Sequence, residues 1–268
     1  MYYKEFLRVR KPIFVYTVVL SIGFALTSLI TLWLPMTVGT ESQNASRATD
    51  AAAALVPLPW PALLAVAAFF AAIVATGLGS TLSQENNGHL ELALTKPYSR
   101  ARYATTAIAV DLAAILVAEF VALVFIVLHI AIFHRTTNEL VSGPDPIFTA
   151  LRFMLFPLAW YGIIAGASAG LRGKAGIVQG LIWPVALVLA ALRDIPATGA
   201  WQTWHNVFVA LNAFNPLIYV AFHEQASGTT IHLVGATALP AALGAAVLAG
   251  LLIAGWLAAT WQWRRVEA

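Results

Sequence analysis

The sequence predicts an all-α, polytopic membrane protein of six transmembrane helices. Three observations carry that expectation. Of 268 residues, 60% are hydrophobic and 10% charged, whereas a soluble domain carries about 25% charged residues. Six runs are long and apolar enough to cross hydrocarbon, for which a helix needs about 20 residues. Lys and Arg also fall unevenly on the connections between those runs. The mean hydropathy is +0.80. A chain of this length has the volume for a large aqueous core but too few charges to cover one, so much of its surface must face lipid. With no cysteine, disulfides, thiol chemistry and thiolate metal sites are excluded. The net charge of +3 includes no long basic run, which argues against nucleic acid as a partner.

The elements follow in chain order. Residues 1–11 mix Tyr2, Tyr3, Phe6 and Leu7 with Lys4, Arg8 and Arg10, the composition of an interfacial helix. The first span is expected over 13–36. A signal peptide is the competing reading, but the apolar run is too long for one and no small-residue cleavage site follows it. Further spans are expected over 60–82, 105–133, 153–171, 175–192 and 234–261, all in one domain, 1–268. The stretch 193–233 is too polar to cross, yet Trp201, Trp204, Phe208, Leu211 and Phe214 recur at near-helical spacing. This predicts a helical outer segment at a membrane surface before the last span. Pro157, Pro184 and Pro240 fall inside expected spans, where proline kinks a helix.

Orientation follows from the bias of Lys and Arg toward the cytoplasm. Eleven of the fifteen lie at the two ends of the chain and in the second-to-third and fourth-to-fifth connections; Arg47, Arg135, Arg152 and Arg193 lie on the other side. Both termini are therefore expected in the cytoplasm, and an even number of spans agrees.

The second-to-third connection, 83–102, is the only sizeable polar segment expected on that side. Within it, Leu90 and Leu94 share a helical face with Asn87. Pro97 stops the short helix, and Ser99 is placed to cap the long one that follows. The ordered positions Glu85, Gly88, Leu90, Glu91, Leu92, Leu94, Pro97, Ser99 and Arg100 resemble the signature of type-2 ABC transporter permeases. His89 stands where that family often has Thr, Ala93 where it often has Leu, and Glu85 lies one residue further from Gly88 than in the simplest pattern. Asn215-Pro216 also resembles a dipeptide found before the family's last span. The resemblance implies that 85–100 is a coupling helix on a separate ATPase. It implies a working unit of two ATPase subunits, which bind ATP and Mg, and two permease chains, identical or not. It further implies location in a bacterial-type plasma membrane, and export as the direction of transport.

Other motifs point elsewhere. Gly166-Ala-Ser168-Ala-Gly170 fits the Gly-x-Ser-x-Gly pattern of a nucleophile elbow but sits in an apolar helix rather than a strand–turn–helix. The same stretch gives Gly162, Gly166 and Gly170 a four-residue spacing that lets a second helix approach closely. An intramembrane serine hydrolase built on Ser168 would need a facing histidine, and the last expected span has none. Residues 168–175 miss a phosphate-binding loop at its first glycine and at its final Ser or Thr. The chain thus brings no nucleotide motif of its own and is not expected to be an enzyme. The six histidines form no metal-binding pair. Asp111 and Glu119 lie inside the third expected span, where an ionisable group is costly and often functional. They are candidates for a translocation pathway, with interhelical hydrogen bonding as the structural alternative. The reading that results is a transporter permease subunit; a non-transporting membrane scaffold is its rival.

Overall fold

The computed structural model describes residues 2–38, 60–85, 99–133, 146–171, 174–193, 195, 198–199, 201–220, 222–227, 230–235 and 241–265. Eight α-helices are described: α1 Tyr2–Val38, α2 Trp60–Leu78, α3 Thr81–Glu85, α4 Arg100–Phe133, α5 Pro146–Ser168, α6 Ala175–Arg193, α7 Trp201–Asn212 and α8 Ala241–Arg265. Six of them, α1, α2, α4, α5, α6 and α8, are long and apolar enough to cross a membrane. The protein is a multi-pass helical membrane protein.

The N-terminal stretch is not a separate interfacial helix. It runs without interruption into the first span as α1, 37 residues long, or about 55 Å at 1.5 Å per residue. Val9 explains the continuity, because it is buried against the bundle and holds the early turns there. The second span, expected to run to residue 82, divides at Gly79 and Ser80 into α2 and α3. A β-carbon on Gly79 would lie 2.8 Å from Ile164 Cγ2, so only glycine admits α5 this close.

Helix α5 is the centre of the bundle, packed on α8, α2, α4 and α6. Its side chains Phe153, Phe156, Trp160 and Ile164 are fully buried, as are Ile108 and Ile115 of α4 and Trp263 of α8. Gly162 and Gly166 form the seam between α5 and α8. A β-carbon on Gly162 would meet Leu252 Cα at 3.0 Å, and one on Gly166 would meet the Gly255 carbonyl oxygen at 3.1 Å. Gly170 continues the line beside Gln262, whose side chain accepts from the Gly170 N–H at 2.8 Å and donates to the Gly166 carbonyl at 2.7 Å. Without a hydrophobic force between helices in lipid, such backbone approach is a main source of association.

Helix α6 is the peripheral span. Ile177, Leu181, Val185 and Val188 are exposed along its outer side, while Gln179, Trp183 and Ala186 face the bundle. Thr76 Oγ1 accepts from both Trp160 Nε1 at 3.0 Å and Trp183 Nε1 at 3.1 Å. Gln179 donates to the Thr76 carbonyl and to Ser80 Oγ. The two indoles pack with centroids 4.4 Å apart.

The outer segment is helical only in its first half. Helix α7 exposes Trp204, Val207 and Leu211 on one side and buries Asn212, whose amide donates to the Leu189 carbonyl of α6 at 2.6 Å. Asn215 then caps a short 3-10 turn, Pro216–Tyr219, accepting from the Leu217 N–H. It donates to the Ala186 carbonyl of α6 at 2.8 Å and to Asn212 Oδ1 at 3.0 Å. Tyr219 donates to the Ala213 carbonyl at 2.9 Å. Burial pushes its hydroxyl pKa up, against a smaller downward pull from Arg193. The second half is an antiparallel hairpin, β1 Phe222–Ser227 and β2 Thr230–Gly235, in register Ser227 to Thr230 and Phe222 to Gly235. Val234 and Gly235, expected to open the last span, belong to β2. The β-branched Thr230, Ile231 and Val234 favour a strand here.

Asn215 anchors this segment, so Asn215→Ala is expected to cost about 2 kcal/mol. It removes a helix cap and the buried hydrogen bonds to the Ala186 carbonyl and to Asn212 Oδ1. Asn215→Asp keeps the acceptor but loses the donor, and is expected to recover little. Thermal unfolding of the purified chain in detergent checks both.

Candidate functional site

Helix α4 carries an ionisable stripe through the bundle. Its buried positions include Ala104, Ala107, Ile108, Asp111, Ala114, Ile115, Ala118, Glu119, Ala122, Ile126 and His129. Asp111 and His129 are 18 residues apart, five full turns at 3.6 residues per turn, so they share one face. Glu119 lies between them, about 12 Å along the axis from Asp111. The sequence pointed to Asp111 and Glu119 and missed His129; the five-turn spacing was the available signal. His129 packs edge-on against Phe24 of α1, ring centroids 6.0 Å apart.

Asp111 ties three helices together. Arg8 of α1 donates to Oδ1 and forms an ion pair, and the Tyr161 hydroxyl of α5 donates to Oδ2 at 3.0 Å. The carboxylate is 1% exposed, Arg8 24%. The charge is costly in a low-dielectric interior, and the guanidinium and phenol offset that cost.

Glu119 has a different environment. Both carboxyl oxygens are buried and have no hydrogen-bond partner among the described residues. The side chain lines a small cavity with Tyr16, Leu64, Ala67, Ala68, Ala122, Leu123, Phe153 and Met154. The cavity volume is about 10 Å³, the size that just admits one water molecule. Tyr16, the other polar side chain of that lining, donates to the Ala67 carbonyl at 3.2 Å. A carboxyl so placed requires a proton, a water or a cationic partner.

Of the coupling-segment positions, Gly88, Leu90, Glu91, Leu92, Leu94 and Pro97 lie outside the described residues, while Glu85 ends α3 and Arg100 begins α4. Both flanks are anchored at one end of the bundle. Ser83 of α3 donates to the Leu171 carbonyl just past α5. Ser99 caps α4: its Oγ accepts from the Arg102 N–H at 3.3 Å and its carbonyl from the Tyr103 N–H at 3.1 Å. The basic C-terminal turn of α8, with Arg264 and Arg265, lies at this same end, because Gln262 pairs with Gly166 and Gly170. Ser168 is fully buried here, and its hydroxyl donates to the Gly79 carbonyl at 3.1 Å.

The site thus belongs to a multi-pass membrane protein with an ionisable stripe in its interior and, at one end of the bundle, the anchored flanks of a polar connection. Compared with protein-family models, curated proteins and solved structures, the chain matches none.

Proposed function

We propose that the chain is the permease subunit of an ATP-driven transporter of the type-2 ABC kind. One observation carries the proposal. The ordered Glu85, Gly88, Leu-Glu-Leu 90–92, Leu94, Pro97 and Ser99-Arg100 occupy the connection strung between α3 and the capped start of α4. On this reading two ATPase subunits, loaded with ATP and Mg, dock on residues 85–100. Closure of the ATPases pushes that segment, and α4 continues from it as one uninterrupted helix. The push therefore reaches the stripe of Asp111 and Glu119. A second permease chain completes the unit. The termini and the coupling segment face the cytoplasm of a bacterial-type cell, and export is the favoured direction.

The basic residues support that orientation. Arg264 and Arg265 close α8, Arg102 lies in the first turn of α4, and Arg8 pairs with Asp111 near the start of α4. They gather at the end where the coupling segment is anchored, as the positive-inside bias requires. The hydrolase alternative draws no support from Ser168, whose hydroxyl is committed to a backbone carbonyl in the packed interior. A scaffold using the same loop remains the rival reading, and it requires no ATPase cycle.

Co-purification from the native membrane in mild detergent separates the two. The wild-type chain is expected to bring down a protein with nucleotide-binding motifs, and the double variant Glu91→Ala, Arg100→Ala to bring down at least tenfold less. A preparation free of any ATPase, under conditions where a known transporter keeps its own, would defeat the permease reading.

A further inference from the structure

A second, larger cavity adjoins Glu119. It lies between α1, α2 and α4 and has a volume of about 220 Å³. Its lining is apolar and aromatic, with Phe24, Phe70, Phe125 and Ile126 prominent and His129 at one end. Val19, Val66 and Phe70 on its rim are exposed, so on a chain embedded in a bilayer the cavity opens sideways to the hydrocarbon. Ala67 and Ala122 line both this cavity and the small one that holds the Glu119 carboxyl. Only two methyl groups contribute side chains to that shared wall.

We propose that these two cavities form one binding site for an amphipathic primary amine. The apolar body occupies the larger cavity, and the ammonium group passes between Ala67 and Ala122 to pair with Glu119. Three observations carry this. Glu119 is 5% exposed, and both its carboxyl oxygens are buried without a partner among the described residues. The space beside it matches one water in size, which suits an –NH3 group and excludes a trimethylated one. The larger cavity supplies apolar and aromatic contact for the body of the ligand. A neutral ligand would leave the carboxyl as it is, and an anion would add a like charge to a desolvated one.

This inference deepens the transport reading by naming a substrate class and rests on it for its biological sense, yet binding is measured on the permease chain alone, without any ATPase. The full chain is purified in detergent, and binding of 4-phenylbutylamine is compared with that of 4-phenylbutanol and the N,N,N-trimethyl derivative of the amine. Comparison with Glu119→Gln in the same detergent cancels partition into micelles. The amine is expected to bind at least tenfold more tightly than either analogue, and Glu119→Gln to abolish its advantage over the alcohol. Gly23 lines the larger cavity, and a β-carbon there meets nothing within 4 Å. Gly23→Phe is therefore expected to weaken amine and alcohol alike while the protein stays folded. Equal binding of amine and alcohol to the wild type, or an amine preference that survives Glu119→Gln, overturns the proposal. So does unchanged amine binding in Gly23→Phe. Loss of the co-purified ATPase with the amine site intact would fail the permease reading alone.

Discussion

Gly255→Ala is expected to destabilise the bundle more than any other single-methyl addition among its described glycines. A β-carbon on Gly255 would overlap the Gly162 carbonyl, both its oxygen and its carbon. Ordinary van der Waals contact for a β-carbon begins at 3.4 Å, so α5 and α8 must move apart by about 1 Å or more. Backbone, not a flexible side chain, is what the methyl meets, so no rotamer change relieves it. A radial gap of that size forfeits a quarter to a half of the dispersion well for every atom pair along the seam. The seam joins the most extensively packed pair of helices in the fold, and overpacking of this kind costs about 3 kcal/mol. Gly250 lies on the same helix and has nothing within 4 Å of its β-carbon position, so Gly250→Ala is expected to stay within about 0.5 kcal/mol of wild type. Gly166→Ala, with contacts at 3.1 and 3.2 Å, falls between them. Unfolding by titration with a denaturing detergent gives the order. A Gly250 variant as unstable as the Gly255 variant would overturn the seam account, because alanine is the better helix former at both positions and the loss could not come from propensity.

The seam also shows what a sequence discloses. Gly162, Gly166 and Gly170 announce one side through their four-residue repeat, because successive members return to the same helix face. The opposing Gly255 has no such signal: Gly250 is its neighbour in sequence at a spacing of five, which points the two in different directions. The six spans were legible because twenty apolar residues are a length, and length survives without tertiary information. Their ends were less so. The break at Gly79 arises from the approach of Ile164, a contact 85 positions away in the chain. The hairpin over Phe222–Gly235 was not legible, because the helical spacing of Trp201 to Phe214 was extended over the whole outer segment, while the strands are fixed by pairing with each other. Asp111 and Glu119 were both legible as costly charges. Their difference was not, since it depends on which helix brings a partner. Arg8 and Tyr161 reach Asp111 from 103 and 50 residues away, and no described residue reaches Glu119.

That difference makes the Arg8–Asp111 pair the second large effect. Arg8→Ala takes the ion-pair partner from a carboxylate that is 1% exposed, while the Tyr161 hydroxyl still donates to it. Removing one partner of a buried pair costs about 3 to 5 kcal/mol; Arg8 is itself 24% exposed, and solvent screening places the expected loss at the low end, about 3 kcal/mol. Asp111→Asn removes the charge and keeps an acceptor for Tyr161, and the guanidinium that loses its ion pair has access to water, so the expected cost is smaller, about 1 to 2 kcal/mol. The double variant Arg8→Leu, Asp111→Leu removes both charges and fills the space with apolar groups. It is expected to recover most of the loss, because replacing a buried pair whole is often neutral where halving it is not. A double-mutant cycle on unfolding in detergent measures the coupling directly. Additive single effects would mean that the pair contributes nothing beyond its separate side chains. A strong coupling would identify the pair as the clasp that keeps the early turns of α1 on the bundle, next to the end where residues 85–100 are anchored. On the transport reading, the same clasp holds α1 and α4 together when the coupling segment is pushed. Variants that lose it are then expected to uncouple, with ATP hydrolysed by the co-purified ATPase at an undiminished rate while substrate movement falls.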